Sequence, residues 1–283
     1  MDNPVAIQIE YVEARRVLLN ALDALRPHQN AIVLIGAQAV YLRTVGRLPT
    51  YQPFTTDADL VVDPSKLLAT HPLDQSMRDA GFLLTDEPGI WEARFKRTGF
   101  VDEIVVPVDL IVPDKVASRA GRRSARLPGD LGKNTARKCI GVEGALVDFG
   151  SIEIASLELI DARSIIVNVA GEAALLVAKL HKLGDRLNEP KRLEAKDVGD
   201  IYRLFDAVAP DEMGARLKVL LADERSATTT LTALKYAEVL FGTPSGIGVR
   251  LGVEALRAVI PEATVSAFLI GYWKTLDVLI QLL

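Results

Sequence analysis

The chain has 283 residues, 49% of them hydrophobic and 25% charged, and a formal net charge of -4. That length suits one large domain or two smaller ones with a sizeable core. The net charge supplies no global attraction to nucleic acid, so any such role needs a local basic patch. A single cysteine, Cys139, excludes an internal disulfide framework and a cysteine-built metal site.

Met1–Ile9 is broken by Asp2, Asn3, Pro4 and Gln8 and lacks the charged-then-apolar pattern of a secretory signal. No run of about 18 uncharged apolar residues appears, so no membrane span and a cytoplasmic location are expected. Residues 5–26 carry Val17, Leu18, Ala21, Leu22 and Leu25 at helical spacing, ended by Pro27. The stretch Ile32–Asp63 then predicts a buried strand running into Gly36, a short helix, a loop with Arg47, and a second strand with Asp57 and Asp59. Residues i and i+2 of a strand point to one face, so two carboxylates stand side by side among Leu and Val. Like charges so close call for a cation, and a hard divalent ion such as Mg²⁺ is the usual solution.

After Asp63, which with Asp114 reads as a solvent-side strand end, a helix is expected over Leu67–Ala80, interrupted at Pro72 and closed by Gly81. Phe82–Leu84 and Trp91–Lys96 predict short strands around a Pro88–Gly89 turn. Val101–Val112 is a strong strand, with Pro107 arguing for an edge or a bulge. Asp109 in that strand is a third carboxylate in apolar surroundings, able to join Asp57 and Asp59 at one metal site. Residues 115–138 are the most basic segment, with Lys115, Arg119, Arg122, Arg123, Arg126, Lys133, Arg137 and Lys138 against Asp130. It reads either as a solvated charged loop or as a phosphate-facing arm for an NTP or polynucleotide.

Cys139–Phe149, Ser151–Leu159 and Ser164–Val169 predict further strands, and from Gly171 the pattern turns helical. Helices are expected over Glu172–Arg186, Glu194–Ala207, 211–225, 228–241, 248–259 and 261–282. The expected fold is therefore α+β: a mixed sheet with flanking helices over 1–170, then a helical domain over 171–283. His28, His71 and His181 are scattered without metal-ligand spacing. Lys179 and Lys182 could simply flank a packed helix, and Lys196, Asp197 and Asp200 could form an exposed ion-pair face.

A hydrophobic strand ending in Gly36, then Asp57-Ala58-Asp59 and a later Asp109, resembles the nucleotidyltransferase superfamily. Arg47 upstream of Thr56-Asp57-Ala58-Asp59, the lysine-bearing helix Leu175–Arg186 and the stretch Lys196–Tyr202 look most like AbiEii-type toxins of bacterial toxin–antitoxin pairs, which include the mycobacterial MenT group. The resemblance covers roughly residues 30–205.

It implies nucleotidyl transfer from an NTP to an acceptor hydroxyl, with a tRNA 3′ end favoured by the basic segment, and a cognate antitoxin as partner. Asp57 and Asp59 would hold Mg²⁺, in a one- or two-metal site that Asp109 completes while activating the acceptor. Gly36, Ala37, Gln38, Arg47 and Thr56 would line the nucleotide; Lys179 or Lys182 would contact phosphate and Asp197 would be the late acidic residue. Residues 37 and 38 are Ala and Gln where the superfamily usually has Gly or Ser, and Gln38 could supply an amide donor instead. A non-catalytic scaffold of the same fold and a metal-dependent phosphohydrolase are the alternatives.

Overall fold

The computed structural model describes residues 9–51, 53–96, 103–117, 123–125, 127 and 134–281. In chain order the elements of the first part are α1 (Ile9–Ala24), β1 (Ile32–Ile35), α2 (Gly36–Arg43), β2 (Ala58–Val62), α3 (Leu73–Asp79), β3 (Leu83–Leu84) and β4 (Ile90–Phe95). There follow β5 (Ile104–Pro113), β6 (Ser124–Ala125), β7 (Ala136–Cys139), β8 (Phe149–Ala155) and β9 (Ser164–Ala170). The rest is helical: α4 (Glu172–Gly184), α5 (Ala195–Ala207), α6 (Pro210–Ala222), α7 (Ala227–Phe241), α8 (Ile247–Leu256) and α9 (Glu262–Gln281). The fold is thus α+β, a mixed sheet followed by a helical half.

The chain forms two compact units, the first from Met1–Gln38, Pro53–Cys139 and Gly150–Val169. Its described strands form one sheet in the order β3-β4-β5-β2-β1-β9-β8, with β7 pairing β5 and β6. β1 and β2 run antiparallel, whereas β2 and β5 run parallel. The strands at the centre are apolar on both faces, as burial on both sides requires; Ile32 to Ile35 are all buried. α1 sets Val17, Leu18 and Leu25 of the adjoining turn into the core, together with Leu73 and Met77 of α3. Trp91 is fully buried and donates its indole N–H to the Thr135 carbonyl at 2.9 Å.

Pro107 pairs with Glu92 of β4 in the first half of β5, and the pairings to β2 and β7 begin only at Val108 and Ile111. The proline therefore stands where β5 has one described neighbour, which accommodates its missing N–H. Three expectations need correction. Cys139–Phe149 is not a strand: β7 ends at Cys139, and Glu143–Leu146 forms a 3-10 turn. Gly141 and Gly144 lie against His181 and Ala174 of α4, a closeness that only small residues allow. Asp63 is buried rather than solvent-side, because its carboxylate accepts the Ser65 backbone N–H at 3.0 Å and caps the turn at Pro64–Lys66. His28 and His71 are not scattered: their rings meet edge-on at 6.3 Å.

The second unit comprises Ala39–Gln52, Ile140–Phe149 and Ala170–Leu283. Its core stacks Phe205 on Tyr272, ring centroids 3.9 Å apart, and the Tyr272 hydroxyl donates to the Val208 carbonyl at 2.7 Å. α9 contains an 18-residue window of mean hydropathy 1.3, so by length and composition alone it could cross a membrane. Its buried residues, Val265, Leu269, Tyr272, Trp273 and Leu276, are packed inside the helical unit.

Gly89 joins these levels. At φ +76 it sits where a Cβ would overlap the Arg137 backbone nitrogen and approach the Leu110 carbonyl to 2.7 Å. Gly81 has a similar φ of +84 but open space around it. Gly81→Ala should therefore cost only the left-handed backbone term, about 1–2 kcal/mol. Gly89→Ala should cost about 3 kcal/mol or more in urea unfolding, since backbone on both sides must move.

Candidate functional site

The register of three strands creates the site. Ile35 of β1 lies opposite Asp59 of β2, and Asp59 is the direct neighbour of Asp109 in β5. Side chains in one transverse row share a face of the sheet, so the Asp59 and Asp109 carboxylates stand together. Asp57 lies two residues earlier, just before β2, and its charge acts on Asp109.

Gly36 lets this row close. It leaves β1 and opens α2 at φ +73, and a Cβ there would overlap Asp59 Oδ2. Residue 36 therefore has to be glycine for two separate reasons, its backbone angle and the space its neighbour occupies.

A buried polar chain fixes Asp57 from behind. Gln38 Nε2 donates to the Asp57 carbonyl at 3.0 Å and to the Ala14 carbonyl at 3.2 Å. Its Oε1 accepts Arg15 Nε at 3.0 Å, and Arg15 in turn donates to the Tyr11 hydroxyl at 3.0 Å and the Ala155 carbonyl at 3.2 Å. The expected role of Gln38 as a phosphate donor is thereby corrected: both amide hydrogens are committed to carbonyls, so it positions the strand entrance. The buried Thr55 hydroxyl donates to Asp57 Oδ1 at 2.5 Å. Thr56 is exposed and Ala37 half-buried in the first turn of α2.

Asp109 has a cationic partner that the sequence pattern did not single out. Arg137 Nε and Nη2 both donate to Asp109 Oδ2, at 3.1 and 2.5 Å. Burial pushes the Asp109 carboxyl up; Arg137 opposes this, and the charges of Asp57 and Glu87 add to it. Among the described residues no group of three or more His, Cys, Asp or Glu is drawn together as a metal cage. The three aspartates instead form an acidic row with one guanidinium at its end.

Lys179, Lys182 and Asp197 belong to the second unit. There Lys179 Nζ lies 2.8 Å from Asp197 Oδ1 and 2.6 Å from Asp200 Oδ2. Lys182 Nζ reaches the same Asp197 oxygen at 3.0 Å. Asp197 and Asp200 are buried, contrary to an exposed ion-pair face; Lys196 alone of that trio is exposed, paired with Glu194 at 3.1 Å. Burial opposes both charges, but Lys179 and Lys182 hold the Asp197 carboxyl down at about 2, while Asp200 and Asp197 keep Lys179 well above its ordinary value. The Lys179 ammonium is thus spent on two carboxylates, which corrects its expected role on phosphate. Lys182 is the more exposed lysine of the pair. Arg47 is exposed, and its backbone carbonyl accepts Arg203 Nη1 at 3.1 Å.

Of the basic segment, Lys115 and Arg123 are exposed and Arg137 and Lys138 lie in β7. Arg119, Arg122, Arg126 and Lys133 lie outside the described residues.

No family model and no curated protein matches the chain. A solved structure, "Crystal structure of JHP933 from Helicobacter pylori", is similar at 14% identity and a TM-score of 0.49, covering 98% of this chain and 95% of that one. A likeness of that degree carries no argument about function.

Two experiments separate the roles of these residues. Gln38→Leu takes one partner each from Arg15 Nε and the Ala14 and Asp57 carbonyls and should cost about 2–4 kcal/mol of stability in urea titration. Lys179→Met takes the lysine from buried Asp200 and leaves Asp197 to Lys182, and should cost about 3–5 kcal/mol. The Asp197 contribution is present above the ordinary carboxylate range, about pH 4, and is lost as pH falls toward about 2. The stability gap between the native protein and Asp197→Asn should accordingly narrow as the pH is lowered through that window.

Proposed function

We propose that this protein is a Mg²⁺-dependent nucleotidyltransferase that moves a nucleotide from an NTP to an acceptor hydroxyl, a tRNA 3′ end, as the cytoplasmic toxin of a toxin–antitoxin pair. The observation that carries this reading is the acidic row of Asp57, Asp59 and Asp109, closed against Gly36 at the start of α2. The donor set suits a hard divalent ion: all oxygen, all carboxylate, with a half-buried member, Asp109, whose ionisation is opposed by desolvation and by the charge of Asp57. Asp57 and Asp59 would hold the ion, with Asp109 completing the set. When bound, it would neutralise charge on the phosphates as pyrophosphate leaves.

The chain's own residues supply orientation and proton transfer. Thr55 and Gln38 fix Asp57, one at its carboxylate and one at its backbone. Arg137 takes only Oδ2 of Asp109, and Oδ1 on the other side is the atom able to accept the proton of an attacking hydroxyl. Lys115 and Arg123 are the described basic side chains of the segment suited to an RNA backbone.

A second reading, binding without catalysis, draws on the commitment of the Gln38 amide and on Arg137 beside Asp109. Incubation with each labelled NTP, Mg²⁺ and total tRNA distinguishes the two. Label should enter RNA, Asp59→Ala should abolish it while the protein stays folded, and Asp109→Asn should slow it about 10²–10⁴-fold. Nucleotide bound but never transferred would favour the second reading, and free phosphate alone would indicate hydrolysis.

A further inference from the structure

Among the described residues of this site, Arg137 is the cation hydrogen-bonded to one of the three carboxylates. The Nε/Nη2 edge of the Arg137 guanidinium faces Asp109 Oδ2, with both contacts on a single oxygen. The Nη1 nitrogen has no hydrogen bond to any described residue. An arginine presents five N–H donors in a planar fork, so gripping a carboxylate by one edge leaves the Nη1/Nη2 edge for a second oxyanion. The Arg137 side chain is 31% exposed, against 16% for Asp109, so it is the more accessible member of the pair.

The backbone behind it is fixed. Arg137 pairs with Ile111 in the parallel β5–β7 ladder, two residues past Asp109. Gly89 clamps the two strands from the turn before β4: its N–H donates to the Asn134 carbonyl and its carbonyl accepts the Leu110 N–H, both at 2.8 Å. The guanidinium is therefore held in place before any ligand arrives, which reduces the entropy cost of using it.

An anion approaching this row meets Asp57, Asp59, Asp109 and the nearby charge of Glu87. Without a cation on the protein, a triphosphate would depend wholly on its bound metal for attraction. We propose that Arg137, anchored by Asp109, is the phosphate-binding residue of the site, gripping the nucleotide's phosphates through its Nη1/Nη2 edge. The inference rests on the nucleotidyltransferase reading and adds to it a residue that its carboxylate pattern does not contain. It leaves the proposed roles of Asp57, Asp59 and Asp109 as they stand and gives Asp109 Oδ2 the further task of anchoring the arginine.

Calorimetric titration of the full chain with ATP, GTP, CTP, UTP and inorganic pyrophosphate tests this, first in EDTA and then with Mg²⁺. The native protein should bind at least one triphosphate, and Arg137→Ala should weaken it by about 10-fold or more in both buffers. Arg137→Lys, which keeps the charge but loses the fork, should fall between the two and guards against misfolding of the alanine variant. Unchanged binding by a folded Arg137→Ala would overturn the inference while leaving the transferase reading standing. Tighter Mg²⁺-nucleotide binding by that variant would overturn it too, marking Arg137 as a competitor of the metal. Absence of triphosphate binding by the native protein would sink both.

Discussion

Asp59 can stand where it does because residue 36 has no side chain. The β1–β2 pairing places Asp59 opposite Ile35, and the carboxylate then turns over the point where the chain leaves the sheet for α2. Any other residue at 36 would push that carboxylate away and would strain a backbone at φ +73. The parallel β2–β5 ladder brings Asp109 into the same row, and the Tyr11–Arg15–Gln38 chain sets the entrance at Asp57. The placement of Asp59 within the site depends on that close approach at Gly36.

The cost of gathering these charges is met by different means in the two units. In the helical unit Lys179 and Lys182 of α4 meet the buried Asp197 and Asp200 of α5, so the charges compensate one another across the α4–α5 contact. In the sheet unit Asp57, Asp59 and Asp109 share one row in which Arg137 is bonded to Asp109. Carboxylates whose ionisation is shifted by burial and by one another distinguish a candidate reactive site from a structural ion pair.

Much of the fold was legible because its signals are local. The apolar run at Ile32–Ile35, the helical spacing in α1 and α4, and the change from strand to helix near residue 170 each depend on neighbours within a few residues. Asp57, Asp59 and Asp109 stood out for the same reason, as isolated charges in apolar strands. Arg137 was hidden in a basic run because its partner is set by the β5–β7 pairing, 28 residues away. Lys179 and Asp197 looked available because nothing in their own helices shows that the two helices face each other. Gln38 looked like a ligand donor because the carbonyls that occupy it belong to α1 and to the entrance of β2. The stretch after Cys139 failed as a strand because two glycines let it turn against α4.

The central claim is that the acidic row binds a divalent ion through Asp57 and Asp59. Electron paramagnetic resonance titration with Mn²⁺ in the presence of a triphosphate tests it most directly. The account predicts a bound-ion signal in the native protein that is lost in both Asp57→Asn and Asp59→Asn, with both variants still folded. Equal Mn²⁺ binding by the native protein and either variant would contradict it.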